Sequence, residues 1–486
     1  MDCYDNKLLF MRRGLLALCA AIFIPAVFAT DIDSAMPVRD DTAPLTADSL
    51  PQKWTVEPHA QMQVPDGVTD RWWQQFDDAG LNDVISLTVS RNYSLAAALR
   101  RAEAARQAIG QARAGWYPTI GIAAGFSRAR TAVSMGSHDV IENACRWSAG
   151  LTASWEIDIF GRVAAGVRQK KEQYRASRAE FAGVMVSLAA QGGSSYITLR
   201  EMQEQLEVAR RHADRQRKIV DMAIARFDAG LASKLDVAQA WQTYYQTAAQ
   251  IPALENSAAQ ALSAIATLTA TAPADLPAAI RDTTPLPDCN MLVGSGYPAE
   301  LLRRRPDIIE AEATAAAAAA AVGIAKKEFL PTLTLKGTVG TSARKIDDLF
   351  TRDSFNWSIA PTLSWTLFDG MTRRYAVAEA RETAKAAVDN YNETVTEAVG
   401  EVNNALTAYD AAMRQLTILQ QLDAQCREAL SLAVERYRDS LAPMSDVVTA
   451  QLNALSAETS IVEAKATALQ ALISLYEALG GNPYEI

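Results

Sequence analysis

Two stretches of this chain, RFDAGLASKLDVAQA at residues 226–240 and RYRDSLAPMSDVVTA at 436–450, stand 210 residues apart and are alike. The same offset pairs Trp147 with Trp357, Trp155 with Trp365 and Pro273 with Pro483. It also aligns Arg226, Leu231, Ala232, Asp236 and Val237 with Arg436, Leu441, Ala442, Asp446 and Val447. Nearer the N-terminus the offset becomes 213, matching Gly110 with Gly323 and WYPTI at Trp116 with FLPTL at Phe329. Chance likeness between alanine-rich helices does not keep Trp, Pro and Asp in register, so the chain reads as an internal duplication. The change of three residues falls between paired strands, where one loop is expected to be longer.

Each copy reads helix, strand, strand, very long helix, turn, long helix. No proline occurs between Pro118 and Pro252 or between Pro361 and Pro443. Segments 162–227 and 372–438 therefore lack the strongest helix breaker, and they are rich in helix-favouring Ala, Glu, Arg and Gln. At ~1.5 Å per residue each would span roughly 100 Å. Rods of that length need neighbours along their whole extent, as in a coiled coil or a helical tube. The alanine run at 315–321 would let backbones approach closely. The expected second helices cover about 234–270 and 444–479.

The segment WSAGLTASWEID from Trp147 alternates with period two, placing Trp147, Ala149, Leu151, Ala153, Trp155 and Ile157 on one face. WSIAPTLSWTLF from Trp357 repeats this, with Trp357, Ile359, Pro361, Leu363, Trp365 and Leu367 on one face. Strands are expected at about 119–127, 147–158, 332–340 and 357–368. Tryptophans eight residues apart are ~26 Å apart along a strand. Tilted by roughly 40°, that is about 20 Å of height, against an apolar band of roughly 25 Å with aromatic girdles in outer-membrane barrels. Trp147, Trp155, Trp357 and Trp365 are accordingly read as lipid-interface aromatics. Four strands cannot close a barrel, so three chains are expected to build a twelve-stranded one. Glu156 and Asp158, on the polar face near the strand exit, are candidate lumen acids or solvated rim residues.

The N-terminus reads as an export signal: Arg12 and Arg13, then an apolar core of about 16 residues, then a cleavage-like Val27-Phe28-Ala29. Leu18 stands before Cys19 where a lipid-attachment site needs a small residue, so lipidation is not expected. No later stretch reads as a spanning helix. The organisation is then signal 1–29, an N-terminal segment 30–94 at an equatorial region, a first repeat 95–275, a linker 276–298 and a second repeat 299–486.

A net charge of −9 argues against a nucleic-acid partner. The histidines His59, His138 and His212 are far apart, and there is no HExxH, CxxC, GxSxG or phosphate loop, so no catalytic, metal or cofactor site is expected. Cys145, Cys289 and Cys426 would remain after signal removal, which implies no disulfide framework. A periplasmic enzyme or coiled-coil scaffold is the competing class.

WWQQFDDAGL at 72–81, the YPT and LPT strand starts at Tyr117 and Leu330, DIFGR at 158–162, LLRRRPDI at 301–308 and LFDG at 367–370 give the chain a family resemblance. With the two turns, it resembles the TolC-like outer-membrane factors of tripartite efflux systems, particularly the NodT-type branch. The resemblance covers nearly all of the mature chain. It implies an α+β membrane protein: a homotrimer with a twelve-stranded outer-membrane β-barrel continued by a long periplasmic α-helical barrel. It implies a passive duct fed by an inner-membrane pump of the resistance-nodulation-division or a similar type, through a periplasmic adaptor. Small molecules are the expected cargo, with type I protein secretion as the alternative. It also implies that the helical turns meet the adaptor and form a constriction. The matching residues are Arg226, Gly230, Leu231, Ala232 and Asp236, and Arg436, Leu441, Ala442 and Asp446. Ser440 stands where a glycine is expected, so the second turn is expected to differ in shape. Asp236 and Asp446 are either N-terminal helix charges favoured by the helix dipole or parts of a tip network with Arg226 or Arg436.

Overall fold

Freedom from proline lets two helices run for 67 residues each, Arg162–Asp228 and Thr372–Arg438, about 100 Å apiece. The structure, a computed structural model, describes residues 43–46, 49–51, 54, 71–135, 138–288 and 304–480. All elements named below belong to the unit Pro44–Ile486. The signal-like segment, His59, Cys3, Cys19, Cys289 and the start of the LLRRRPDI motif lie outside the described residues, and segment 30–94 is described only in part.

The chain runs through α1 (Ala79–Arg91), α2 (Tyr93–Arg113), β1 (Thr119–Met135), β2 (His138–Ile157), α3 (Arg162–Asp228), α4 (Lys234–Ala248), α5 (Ile251–Leu268) and the one-turn α6 (Ala278–Arg281). The second repeat follows as α7 (Pro306–Lys327), β3 (Thr332–Ala343), β4 (Phe355–Ser364), α8 (Thr372–Arg438) and α9 (Met444–Ala478). Helix starts follow local chemistry. Asp78 accepts the Leu81 amide at 3.0 Å to cap α1, and Asn92 accepts the Ser94 amide at 2.8 Å to cap α2.

The four strands form one antiparallel sheet in the order β1-β2-β3-β4. The register aligns the alternating faces of both repeats. Ile122 pairs with Leu151, Leu151 with Val339, and Val339 with Trp357. Trp155 pairs with Leu335, and Leu335 with Pro361. One face is thus largely apolar, with Thr341 the polar residue beside Ala149 and Phe355, while Thr152, Thr338 and Ser358 share the other. Gly150 and Gly340 face each other across β2 and β3, and a Cβ on Gly340 would lie 2.5 Å from the Ala149 carbonyl oxygen. The outer edges of β1 and β4 have no partner strand among the described residues.

The main core lies midway along the long helices. Trp72 stacks on Tyr476 at 5.3 Å between ring centres, and Leu81, Val84, Ile85, Tyr196, Ile197, Leu469 and Leu472 pack in the same cluster. A second cluster near the turns joins the two hairpins through Val220, Ala223, Ala240, Tyr437, Met444 and Val447.

Three expectations need correction. The helix expected over 234–270 is two helices, broken at Ala249 and Gln250. Pro252 is the second residue of α5, has no N–H to give the Ala248 carbonyl, and would drive its ring against that oxygen. Pro252→Ala is expected to fuse α4 and α5 and to slow hydrogen exchange at residues 249–252 roughly tenfold. Unchanged exchange there would show that the break has another cause. The strand expected to reach 368 ends at Ser364, so Trp365 and Leu367 lie beyond it, and β2 begins earlier than expected, at His138. Finally, α7 is long and apolar enough to cross a membrane by length and composition. Its hydropathy comes from its many alanines, of which Ala313 and Ala317 are buried.

Candidate functional site

The two helical turns are alike to the level of single hydrogen bonds. The Leu231 amide donates to the Arg226 carbonyl at 2.8 Å, and the Gly230 amide to the Phe227 carbonyl at 2.9 Å. In the second turn Leu441 donates to Arg436 at 2.7 Å and Ser440 to Tyr437 at 3.0 Å. This pair of hydrogen bonds closes a helix on a left-handed residue, and Gly230 (φ 75°) and Ser440 (φ 64°) both adopt that conformation. The expected difference in turn shape is therefore corrected. The turn geometry is kept, and the serine carries a strain of roughly 1 kcal/mol that a glycine would not.

The Ser440 side chain has a partner that explains its place. Arg226 Nη2 donates to Ser440 Oγ at 2.7 Å, and Arg226 Nη1 donates to the Arg438 carbonyl. The same guanidinium lies over the Tyr437 ring, 5.0 Å from its centre. The first turn thus grips the second. Burial, then the Asp236 charge, raises the Tyr437 phenol above its ordinary range. Neither Tyr437 nor Ser440 stood among the residues assigned to the tip from sequence. The available signal was the aromatic pair Phe227 and Tyr437 at the 210-residue offset.

The other residues divide between local and exposed roles. Asp236 and Ser233 form a capping box: the Asp236 amide donates to Ser233 Oγ at 3.2 Å, and the Ser233 amide to Asp236 Oδ2 at 2.9 Å. Pro443 replaces Ser233 in the second turn and has no such amide. Asp446 is exposed, with only the Ser445 hydroxyl at 3.5 Å. Arg436 makes no ion pair or side-chain hydrogen bond among the described residues, and Leu231 and Leu441 are exposed at the turn apices. Ala232 and Ala442 are half-buried.

At the opposite end of α3, Glu156 forms a two-pronged pair with Arg162, at 2.6 and 3.0 Å. Asp158 accepts the Ala164 amide at 2.9 Å and the Val163 amide at 3.1 Å, capping α3. Burial opposes its charge, but these amides outweigh it and hold the carboxyl below its usual range. Trp155 Nε1 donates to the Trp116 carbonyl at 3.0 Å, and Trp365 Nε1 to the Phe329 carbonyl at 2.9 Å. Each tryptophan thereby ties a strand exit to the end of its preceding helix. Trp147 packs on Phe126 at 4.5 Å, and Trp357 is exposed on the apolar face. No cluster of metal-ligating side chains occurs among the described residues.

An apolar-faced sheet of four strands with open edges, carried on long hairpins, is the architecture of a membrane channel subunit. The profile of the outer membrane efflux protein family matches residues 84–271 and 297–481, most of each repeat. The chain belongs to this family. It is 30% identical to outer membrane protein OprJ of Pseudomonas aeruginosa, over 84% of this chain and 86% of that one. It is 28% identical to the pyoverdine export outer membrane protein OpmQ of the same species, over 85% and 87%. Among solved structures it superimposes on the outer-membrane channel OprN with a TM-score of 0.81 and 29% identity, covering 89% of this chain and 98% of that one. This member of the family is an outer-membrane efflux channel, and its helices form the periplasmic extension.

Proposed function

We propose that three copies of this chain form a continuous passive duct, a twelve-stranded barrel in the outer membrane above a helical tube. An adaptor docks at the turns, and an inner-membrane pump drives small molecules into the duct. The observation that carries the reading is the sheet: one largely apolar face, one polar face, and two outer edges with no partner strand among the described residues, which other copies can pair. A small-molecule cargo is supported by the likeness to a pyoverdine exporter. Arg226, gripping Ser440 and the Arg438 carbonyl, holds the two turns of a chain together and keeps the tube end narrow.

The test is single-channel recording of the purified protein in a planar bilayer, with its migration in detergent gels before and after boiling. A heat-sensitive trimer with small basal conductance is expected, and an unboiled monomer would overturn the reading. Arg226→Ala removes two charge-assisted bonds at an exposed site, together worth about 1.5–3 kcal/mol, so the open fraction should rise roughly tenfold or more. Ser440→Gly keeps the turn but deletes the acceptor. It should raise the open fraction less, because the Arg438 carbonyl remains. Wild-type conductance in both variants would remove Arg226 from the gate.

A further inference from the structure

The duplication allows each surface of one hairpin to be compared with its counterpart in the other, 210 residues away. The comparison is uneven in one direction. In the first hairpin Ala223 and Ala240 are 0% and 2% exposed, covered in the cluster that Tyr437, Met444 and Val447 of the second hairpin enter. Their counterparts Ala433 and Ala450 line an open groove of about 520 Å³ between α8 and α9, with Cys426, Asp446 and Asn453. The asymmetry continues up the rod. Val208 is 1% exposed and its counterpart Ile418 65%, while Leu455 is 8% exposed and its counterpart Tyr245 59%. The second hairpin covers this face of the first, and among the described residues nothing covers the corresponding face of the second.

The side chains able to fill the groove are the counterparts of Tyr437, Met444 and Val447, namely Phe227, Lys234 and Val237. Phe227 and Lys234 are exposed and Val237 is half-buried. Two linked substitutions suit them to the task. Lysine replaces methionine in the inserting set, and an aspartate lines the groove it would enter. That aspartate, Asp446, is released because Pro443 lacks the amide that Ser233 gives to Asp236.

We propose that the α8–α9 groove receives Phe227, Lys234 and Val237 of a second copy of this chain. Lys234 of that copy then faces Asp446, so the seam between chains repeats the seam within a chain. The proposal rests on the trimeric reading above. It makes the two seams chemically different. The within-chain seam closes around Met444 and the Arg226 grip on Ser440. The between-chain seam closes around a lysine–aspartate pair, and Arg436 meets Gly230, which has no hydroxyl to offer.

The test uses the full-length chain in outer membranes, with its other cysteines replaced by serine. Val237→Cys combined with Ala450→Cys is treated with a short bismaleimide and run on denaturing gels. Cross-linked dimers and trimers are expected, and each single variant should give none. The counterpart pair Ala240→Cys with Val447→Cys should join within one chain and leave the mass unchanged. Lys234→Glu should lower the detergent-stable trimer several-fold, and adding Asp446→Lys should restore it. Trimers that form without the cross-link between positions 237 and 450 would overturn the seam alone. So would an Ala450→Cys thiol that is protected from maleimide only when an adaptor is supplied. A chain that stays monomeric would overturn the trimeric reading, and the seam with it.

Discussion

Arg200→Met is expected to cost about 3–5 kcal/mol of stability, seen as a lower thermal midpoint in detergent and a reduced amount of protein in the outer membrane. Arg200 sits midway along α3 and is fully buried. Its guanidinium donates to the carbonyls of Asp282 and Ala279, each at 2.5 Å, and to Gln203 Oε1 at 2.7 Å. It also lies over the ring of Tyr196 at 4.6 Å. Tyr196 is tied in turn to the α1 cap by a 2.6 Å bond to Asp78, and its phenol is pushed up to about 12 by burial and that bond. One cation therefore fastens α3 to the segment around α6, where the first repeat gives way to the second. Methionine would fill the space of the stem but remove the donor from two part-buried carbonyls and from Gln203, at about 1–3 kcal/mol in each case. Arg200→Lys keeps the charge yet cannot span both carbonyls, so roughly half the loss should persist. A loss below about 1 kcal/mol for the methionine variant would mean that water takes over the carbonyls.

Arg200 also marks where sequence reading stops. The long helices were legible because proline is missing from them, and the strands because tryptophan and leucine alternate with threonine and serine. The duplication was legible because an offset survives even where residue types drift. The tip turns were legible from their glycine and proline chemistry. What those side chains hold was not. Arg200 lies in a helix with many arginines, and nothing local separates the buried one from the solvated ones, since burial depends on α6 lying across it. Asp236 was open to two readings, a charge at its own helix start or a tip network with Arg226 or Arg436. In the fold the aspartate satisfies its own helix cap and the arginine crosses to the other hairpin. Ser440 looked like a defect in a glycine position, and its hydroxyl acquires a purpose only when the first turn stands beside it. Element boundaries erred for local steric reasons, as at Pro252.

The second large effect is expected at Glu458. Its two oxygens lie 2.7 Å from Arg211 and 2.8 Å from His212 Nε2, with Arg427 at 3.9 Å. The bond to His212, and then that to Arg211, outweigh burial and bring the carboxyl from 4.5 to about 2. A carboxyl depressed by folding stabilises the fold fully above its unfolded value near 4.5 and ceases to do so as pH falls through about 2. The full difference corresponds to at most about 3 kcal/mol, the His212 share of it depending on a protonated imidazole. Glu458→Gln should remove most of this at pH 7 and flatten the stability profile between pH ~4.5 and ~2. Identical profiles for variant and parent would refute the assignment. The counterparts of Arg211, His212 and Glu458 are Gln421, Leu422 and Ala248, none of which carries a charge. Acid should therefore loosen the α3–α9 seam inside each chain at this height and leave the counterpart face of α8 and α4 unchanged. The duplicated rods share one backbone plan, but the ion cluster at Glu458 has no charged counterpart 210 residues away, so in the proposed trimer the two seams would part under different conditions.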